Sequence, residues 1–140
     1  MRYLLDTCVI SELVAKRPAA HVVDWVDSLD PDGVYLSVIT IGEIQKRIER
    51  LPSSRRKTQL QTWLGEELLG RFRGRVVLLD VEVLRTWGRL TARLEAQGLT
   101  LPAIDTLLAA SALHGDFILV TRNEADFSAT GVRLHNPWRR

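Results

Sequence analysis

The chain has 140 residues, 46% of them hydrophobic and 26% charged, with a formal net charge of +2 and a pI near 9.0. That is enough chain for one domain with its own core, and the proportions exclude a disordered or low-complexity protein. The single cysteine, Cys8, excludes an intrachain disulfide, and no apolar run is long enough for a membrane span, so a soluble, cytoplasmic protein is expected.

Tyr3-Leu4-Leu5 is an apolar run ending in Asp6 and predicts a buried first strand. A short helix is predicted over 9–14. A second should run from Pro18, in its first turn, to about Leu29. Asp30-Pro31-Asp32-Gly33 is a turn. A strand over 34–36 follows, then a helix that Ser37 caps, with Val38, Ile41, Ile44 and Ile48 as its apolar stripe. Pro52-Ser53-Ser54 ends that helix, and another over about 54–72 folds back on it as a helical hairpin. Residues 76–79 predict a third strand, and 81–97 a helix stopped by Gly98. A helix over 102–114 is apolar on nearly every side and should be buried. Residues 117–120 predict a buried strand and 132–134 an edge strand. Strands alternating with helices imply one α/β domain over 1–140, with a mostly parallel central sheet and helices on both faces. Ligands of such a sheet bind beyond the carboxyl ends of its strands.

Four acidic residues fall where that architecture could gather them: Asp6, Glu43, Asp105 and Asp126. Asp6 directly follows the first strand, where it could equally cap the next helix. Glu43 lies off the apolar stripe of its helix, with Ile39 one turn earlier and Gly42 beside it; alone it reads as a solvated residue. Asp105 stands in the first turns of the apolar helix, where an unpaired carboxylate is costly. Asn123 and Asp126 follow the fourth strand, in what could also be a plain polar turn. Clustered carboxylates without cations call for a divalent metal, and hard oxygen ligands suit Mg²⁺ or Mn²⁺. The chemistry that follows is metal-dependent hydrolysis of phosphodiesters.

Other chemistries find no residues. His21, His114 and His135 lack the spacing of zinc ligands, and no glycine-rich phosphate loop exists. A haloacid-dehalogenase site needs a second Asp where Cys8 stands, and a receiver domain needs a late Lys, absent after position 57. Cys8 reads as a small core residue, Trp25, Trp63 and Trp87 as core, and Trp138 as a tail anchor. Arg47, Arg50, Arg55, Arg56 and Lys57, with Arg71, Arg73 and Arg75, form either solvated helix ends or a rim that attracts a phosphate backbone.

Leu4 to Glu12, Ser37 to Glu43, Ala103-Ile104-Asp105 with Ala109-Ala110, and Val120 to Asn123 with Asp126-Phe127 resemble, in order, the four motifs of PIN-domain nucleases of the VapC toxin type. Asn136-Pro137-Trp138 resembles the ending of the FitB-like branch. The resemblance implies a three-layer α/β/α PIN fold and a metal-dependent endoribonuclease using Mg²⁺ or Mn²⁺. It implies the toxin role in a VapBC-type toxin–antitoxin module. Asp6, Glu43 and Asp105 then take the catalytic and metal-binding roles, with Asn123 or Asp126 as fourth ligand. Thr7, Ser11 and Thr121 are candidates to hold those ligands, and Arg47, Arg50 and Arg122 to bind RNA. The implied partners are RNA, a cognate antitoxin, a second copy of the chain, and promoter DNA only through the antitoxin. Two departures stand out: Cys8 replaces a small polar residue, and Asn123 replaces an acid. Asn123 keeps open a weakened, binding-only subunit of a regulatory complex; a housekeeping RNA-processing nuclease is the other alternative.

Overall fold

Leu4 and Leu5 are neighbours in sequence and lie on opposite faces of a five-stranded sheet, each fully buried. Period-two alternation does this, and a run apolar at both positions needs cover on both faces. The computed structural model describes residues 1–139. The strands are β1 (Tyr3–Leu5), β2 (Val34–Ser37), β3 (Val76–Val77), β4 (Ile118–Val120) and β5 (Arg133–His135). Their order is β3-β2-β1-β4-β5, and all four pairings are parallel. The expected mostly parallel sheet is parallel throughout.

One face is covered by α1 (Thr7–Val14), α2 (Ala20–Asp27), α3 (Val38–Glu49), α4 (Arg55–Thr62) and α5 (Leu69–Arg71). Leu5, Ile10, Ile44, Leu64, Phe72 and Val120 pack together there. The other face carries α6 (Val81–Ala96), α7 (Ala103–Gly115) and the short α8 (Glu124–Phe127). Leu4, Leu94, Leu108, Leu119 and Phe127 fill that side. The result is the three-layer α/β/α arrangement expected from alternating strands and helices.

Several boundaries differ from expectation. α1 starts at Thr7 because Asp6 caps it. Pro18 lies outside α2, whose cap is Ala19. Between α4 and α5 the helix widens into a π turn over Trp63–Leu68, with Leu64 and Leu68 both buried. β3 stops at Val77. Its partner β2 ends at Ser37, whose hydroxyl turns to accept from the N–H of Ile39 at 3.0 Å and cap α3. Leu78 then has no strand to pair with and is 62% exposed. Gly98, at φ +76°, closes α6, and the N–H of Leu99 reaches back to the Leu94 carbonyl at 2.9 Å. No described helix is long and apolar enough to cross a membrane.

Part of the basic stretch is structural. Arg56 donates to the Val14 carbonyl at 3.2 Å, and Lys57 to the carbonyls of Glu49 and Leu51 at 3.2 and 3.1 Å. Arg75 donates to the carbonyls of Pro31, Val34 and Arg71. These three cations tie loops together rather than line a rim.

Candidate active site

β1 and β4 are the neighbours at which the strand order reverses, so chain leaving their carboxyl ends opens onto one crevice. Asp6 leaves β1 there, and Thr121 leaves β4. They meet: Thr121 Oγ1 donates to Asp6 Oδ2 at 2.8 Å. Asp6 Oδ1 accepts from the backbone N–H of Thr7 at 2.7 Å, which makes the same carboxylate the cap of α1. Asp6 is only 8% exposed. Burial raises its pKa above the ordinary carboxylate value, and the charge of Glu43 adds to that. The Thr121 and Thr7 hydrogen bonds work the other way.

Glu43 reaches the same place from α3. Thr7 Oγ1 donates to Glu43 Oε1 at 2.6 Å and lies 3.3 Å from Thr40 Oγ1. Thr7 therefore links two carboxylates, one through its backbone and one through its hydroxyl. Asp105 comes from the first turn of α7 and is half-buried. Burial raises its pKa first, followed by the charges of Asp126, Asp6 and Glu43. Asp105 on α7 therefore feels the charges of Asp6 after β1, Glu43 on α3 and Asp126 on α8. The start of α7 is less buried than its composition suggested: Pro102, Ala103 and Ile104 are exposed, and burial sets in at Thr106.

Asp126 is exposed on α8. Asn123 precedes that helix, its backbone N–H donating to Thr121 Oγ1 at 3.0 Å and its side chain exposed. Among the described residues, the ion pairs are Arg85–Glu82, Arg133–Asp116 and Arg139–Glu124, and none involves these four acids. Nor do three His, Cys, Asp or Glu side chains among them converge closely enough to bracket one ion.

Two expectations need correction. Ser11 does not hold a carboxylate; its hydroxyl accepts from Arg47 at 2.8 Å. Cys8 is no plain core residue. Its Sγ lies 3.6 Å from Asp6 Oδ2 and 3.7 Å from Thr121 Oγ1, and it accepts from the N–H of Arg122 at 3.5 Å. Burial and the neighbouring Asp6 raise its thiol pKa. Its place two residues beyond Asp6, on the same turn, was the available signal. Arg122 stacks its guanidinium over Trp138, 5.3 Å from the ring centre. Trp138 is itself tied down through Nε1 to Glu12 Oε1 at 3.4 Å. Arg47 and Arg50 line an open cleft beside Glu43, together with Lys46, which the sequence did not single out, and Ile104, which the sequence placed on a buried helix.

The family model described as "PIN domain" matches residues 3–132. The chain belongs to the PIN-domain family. Two bacterial relatives place it in the VapC branch. It is 38% identical over 135 residues to plasmid stability protein StbB of Pseudomonas syringae pv. tomato, covering 96% of this chain and 97% of the relative. It is 34% identical over 135 residues to VapC ribonuclease Y4jK of Sinorhizobium fredii, covering 96% of each. Among solved structures, FitAB bound to an IR36 DNA fragment aligns with a TM-score of 0.92 at 33% identity, over 99% of this chain and 96% of that one. The PIN domain thus carries its acidic residues at the crevice where its central strands diverge.

Proposed function

We propose that this chain is a VapC-type toxin that hydrolyses RNA phosphodiester bonds with a divalent cation held by Asp6, Asp105 and Glu43. The observation that carries this is the linking of Asp6 and Glu43 through Thr7 at the switch point of the sheet, with Asp105 and Asp126 within reach of their charge and none of the four ion-paired among the described residues. Like charges raise one another's pKa unless something positive sits among them. Oxygen donors of this kind suit Mg²⁺ or Mn²⁺. When bound, such an ion neutralises charge on phosphate oxygens and lowers the pKa of water.

The chain's own residues supply the rest. Asp6 is held in place by Thr7 and Thr121 and offers its remaining lone pairs to the ion. The Asp105 side chain makes no hydrogen bond among the described residues, which leaves both its oxygens free for the ion, and its charge is felt together with those of Asp6 and Glu43. Glu43 has Oε1 taken by Thr7, which leaves Oε2 to orient a water or accept its proton. Asp126 is the better-placed fourth acid, because its charge acts on Asp105. Arg47, Arg50 and Arg122 offer charge to the RNA backbone.

The partners follow from the family. An antitoxin that presents a basic side chain to this acidic crevice would inhibit by charge pairing. Promoter DNA is bound through that antitoxin, and the toxin itself pairs with a second copy. The deciding experiment is cleavage of a total-RNA pool by purified protein with Mg²⁺, with Mn²⁺ and with chelator, beside Asp6→Asn. Discrete products that need both metal and Asp6 are expected. A folded protein that gives none and binds no Mn²⁺ would instead be a binding-only PIN subunit.

A further inference from the structure

The cleft beside Glu43 has three kinds of wall. Its volume is about 400 Å³, and Ile39, Gly42, Glu43, Lys46, Arg50 and Ile104 line it, with Arg47 at its edge. One end is acidic. One side is basic, since Lys46 and Arg50 follow Glu43 along the same helix. At a rise of 1.5 Å per residue, Arg50 lies roughly 10 Å beyond the carboxylate. Neither Lys46 nor Arg50 has an ion-pair partner among the described residues. Arg47 is held by Ser11, which fixes the cleft's edge.

The floor is apolar. Ile39 is almost buried, whereas Ile104 is 45% exposed immediately before Asp105. A large aliphatic side chain left open beside a carboxylate cluster gains nothing from folding. Gly42 continues the surface: a Cβ built there meets no atom within 4 Å, so the space above it is empty. Neither α3's helical geometry nor close packing requires a glycine at that position. An apolar floor with a few convergent charges is the make-up of a small-ligand seat.

We propose that this cleft seats the nucleotide next to the scissile phosphate, its base on Ile104 and Gly42 and its outer phosphate on Lys46 and Arg50. This rests on the nuclease reading and adds the direction in which single-stranded RNA leaves the acidic centre. Unstacked bases with free faces are what such a floor accepts, and phosphate contacts fix the register. Ile104 then sets base preference at one position beside the cut.

The test uses the full chain in two assays. One is fluorescence anisotropy with a short 2′-O-methylated single-stranded RNA of randomised sequence, across a salt series. The other is cleavage of a total-RNA pool with the product ends mapped. Lys46→Ala with Arg50→Ala should weaken binding about tenfold and flatten the salt dependence by about 0.7 for each phosphate no longer neutralised. Gly42→Leu should raise or preserve Tm, as leucine suits a helix better than glycine, while weakening RNA binding. Ile104→Ser should alter which base flanks the cut. Arg89→Ala, a cation on α6 remote from the cleft, should change none of these. If the wild type cleaves RNA and the cleft variants keep its RNA affinity, salt slope and product ends, the proposal fails and the nuclease reading stands. If the variants bind RNA normally but lose affinity for a fluorescent poly-glutamate peptide in the same anisotropy assay, the cleft holds an acidic peptide and the proposal is overturned. A wild type that neither binds nor cleaves RNA removes both readings together.

Discussion

The four carboxylates fall into two pairs that are held very differently. Asp6 and Glu43 are each gripped by a threonine hydroxyl, and Thr7 touches both. Asp105 and Asp126 have no side-chain hydrogen bond among the described residues and meet the others only through charge. The first pair comes from the end of strand β1 and the middle of α3. The second pair stands at the beginnings of α7 and α8. One half of the crevice is therefore rigid before anything binds, and the other half adjusts. Orientation of ligands by groups behind them matters nearly as much as the ligands themselves.

The largest loss should come from removing a member of the rigid half. Asp6→Asn keeps the shape and the cap on α1 but not the charge. Asp6→Asn and Glu43→Gln should each lower metal-dependent cleavage by roughly 10²–10⁴-fold, the range of a lost acid–base or charge-stabilising group. Single-turnover rates on a cleavable oligonucleotide measure this. Retention of more than a tenth of the rate would take the residue out of the site.

The next effect separates a held ligand from a free one. Thr121→Val and Thr7→Val delete the hydroxyls and leave the carboxylates in place. Each should cost about 10–100-fold in Mn²⁺ affinity, as losses behind a ligand commonly do. Isothermal titration gives the number, and Thr121→Ser should restore most of it. Equal affinity in Thr121→Val and the wild type would mean that the hydroxyls are mere packing. A smaller effect lies in the free half. Asp126→Ala should reduce activity several-fold, and Asn123→Ala should reduce it less, because of these two residues Asp126 is the one whose charge acts on Asp105. The opposite order would return Asn123 to the role of fourth ligand.

The sequence is most legible where one local rule decides the outcome. Tyr3-Leu4-Leu5 before Asp6 reads directly as a buried strand, and Gly98 as the stop of α6, and both are found. It is less legible where a distant partner decides. Residues 76–79 have four apolar side chains, yet β3 ends after two of them because Ser37 leaves the sheet to cap α3. Cys8 looks like core from its size, but the turn that aims Asp6 into the crevice carries the thiol with it. Ser11 has a hydroxyl at the right distance along the chain, and α1 directs it toward Arg47. Ile104 belongs to the helix expected to be buried on nearly every side, whereas the first turn of α7 is exposed. α8 is a single helical turn of four residues, too short for any periodicity to show.

The smallest expected effect is on stability, and its sign follows from crowding. Burial and neighbouring charge raise the pKa of Asp6 in the folded state. The unfolded chain therefore loses that proton first, and between the ordinary carboxylate range and the raised value the folded state binds more protons. Stability then falls as pH rises through that window, the reverse of a salt-bridged carboxylate. Asp105 titrates in the same sense. Without added metal, Asp6→Asn should melt above the wild type at neutral pH, and the gap should close as pH falls toward about 4, the ordinary carboxylate range. Saturating Mg²⁺ should reverse the ranking, because only the wild type gains the binding free energy, about 2.7 kcal/mol at a hundredfold excess over Kd. Melting curves at acidic and neutral pH, with and without Mg²⁺, test both halves of the argument. Parallel shifts in the two proteins under all four conditions would mean that Asp6 is an ordinary cap whose charge the fold does not feel.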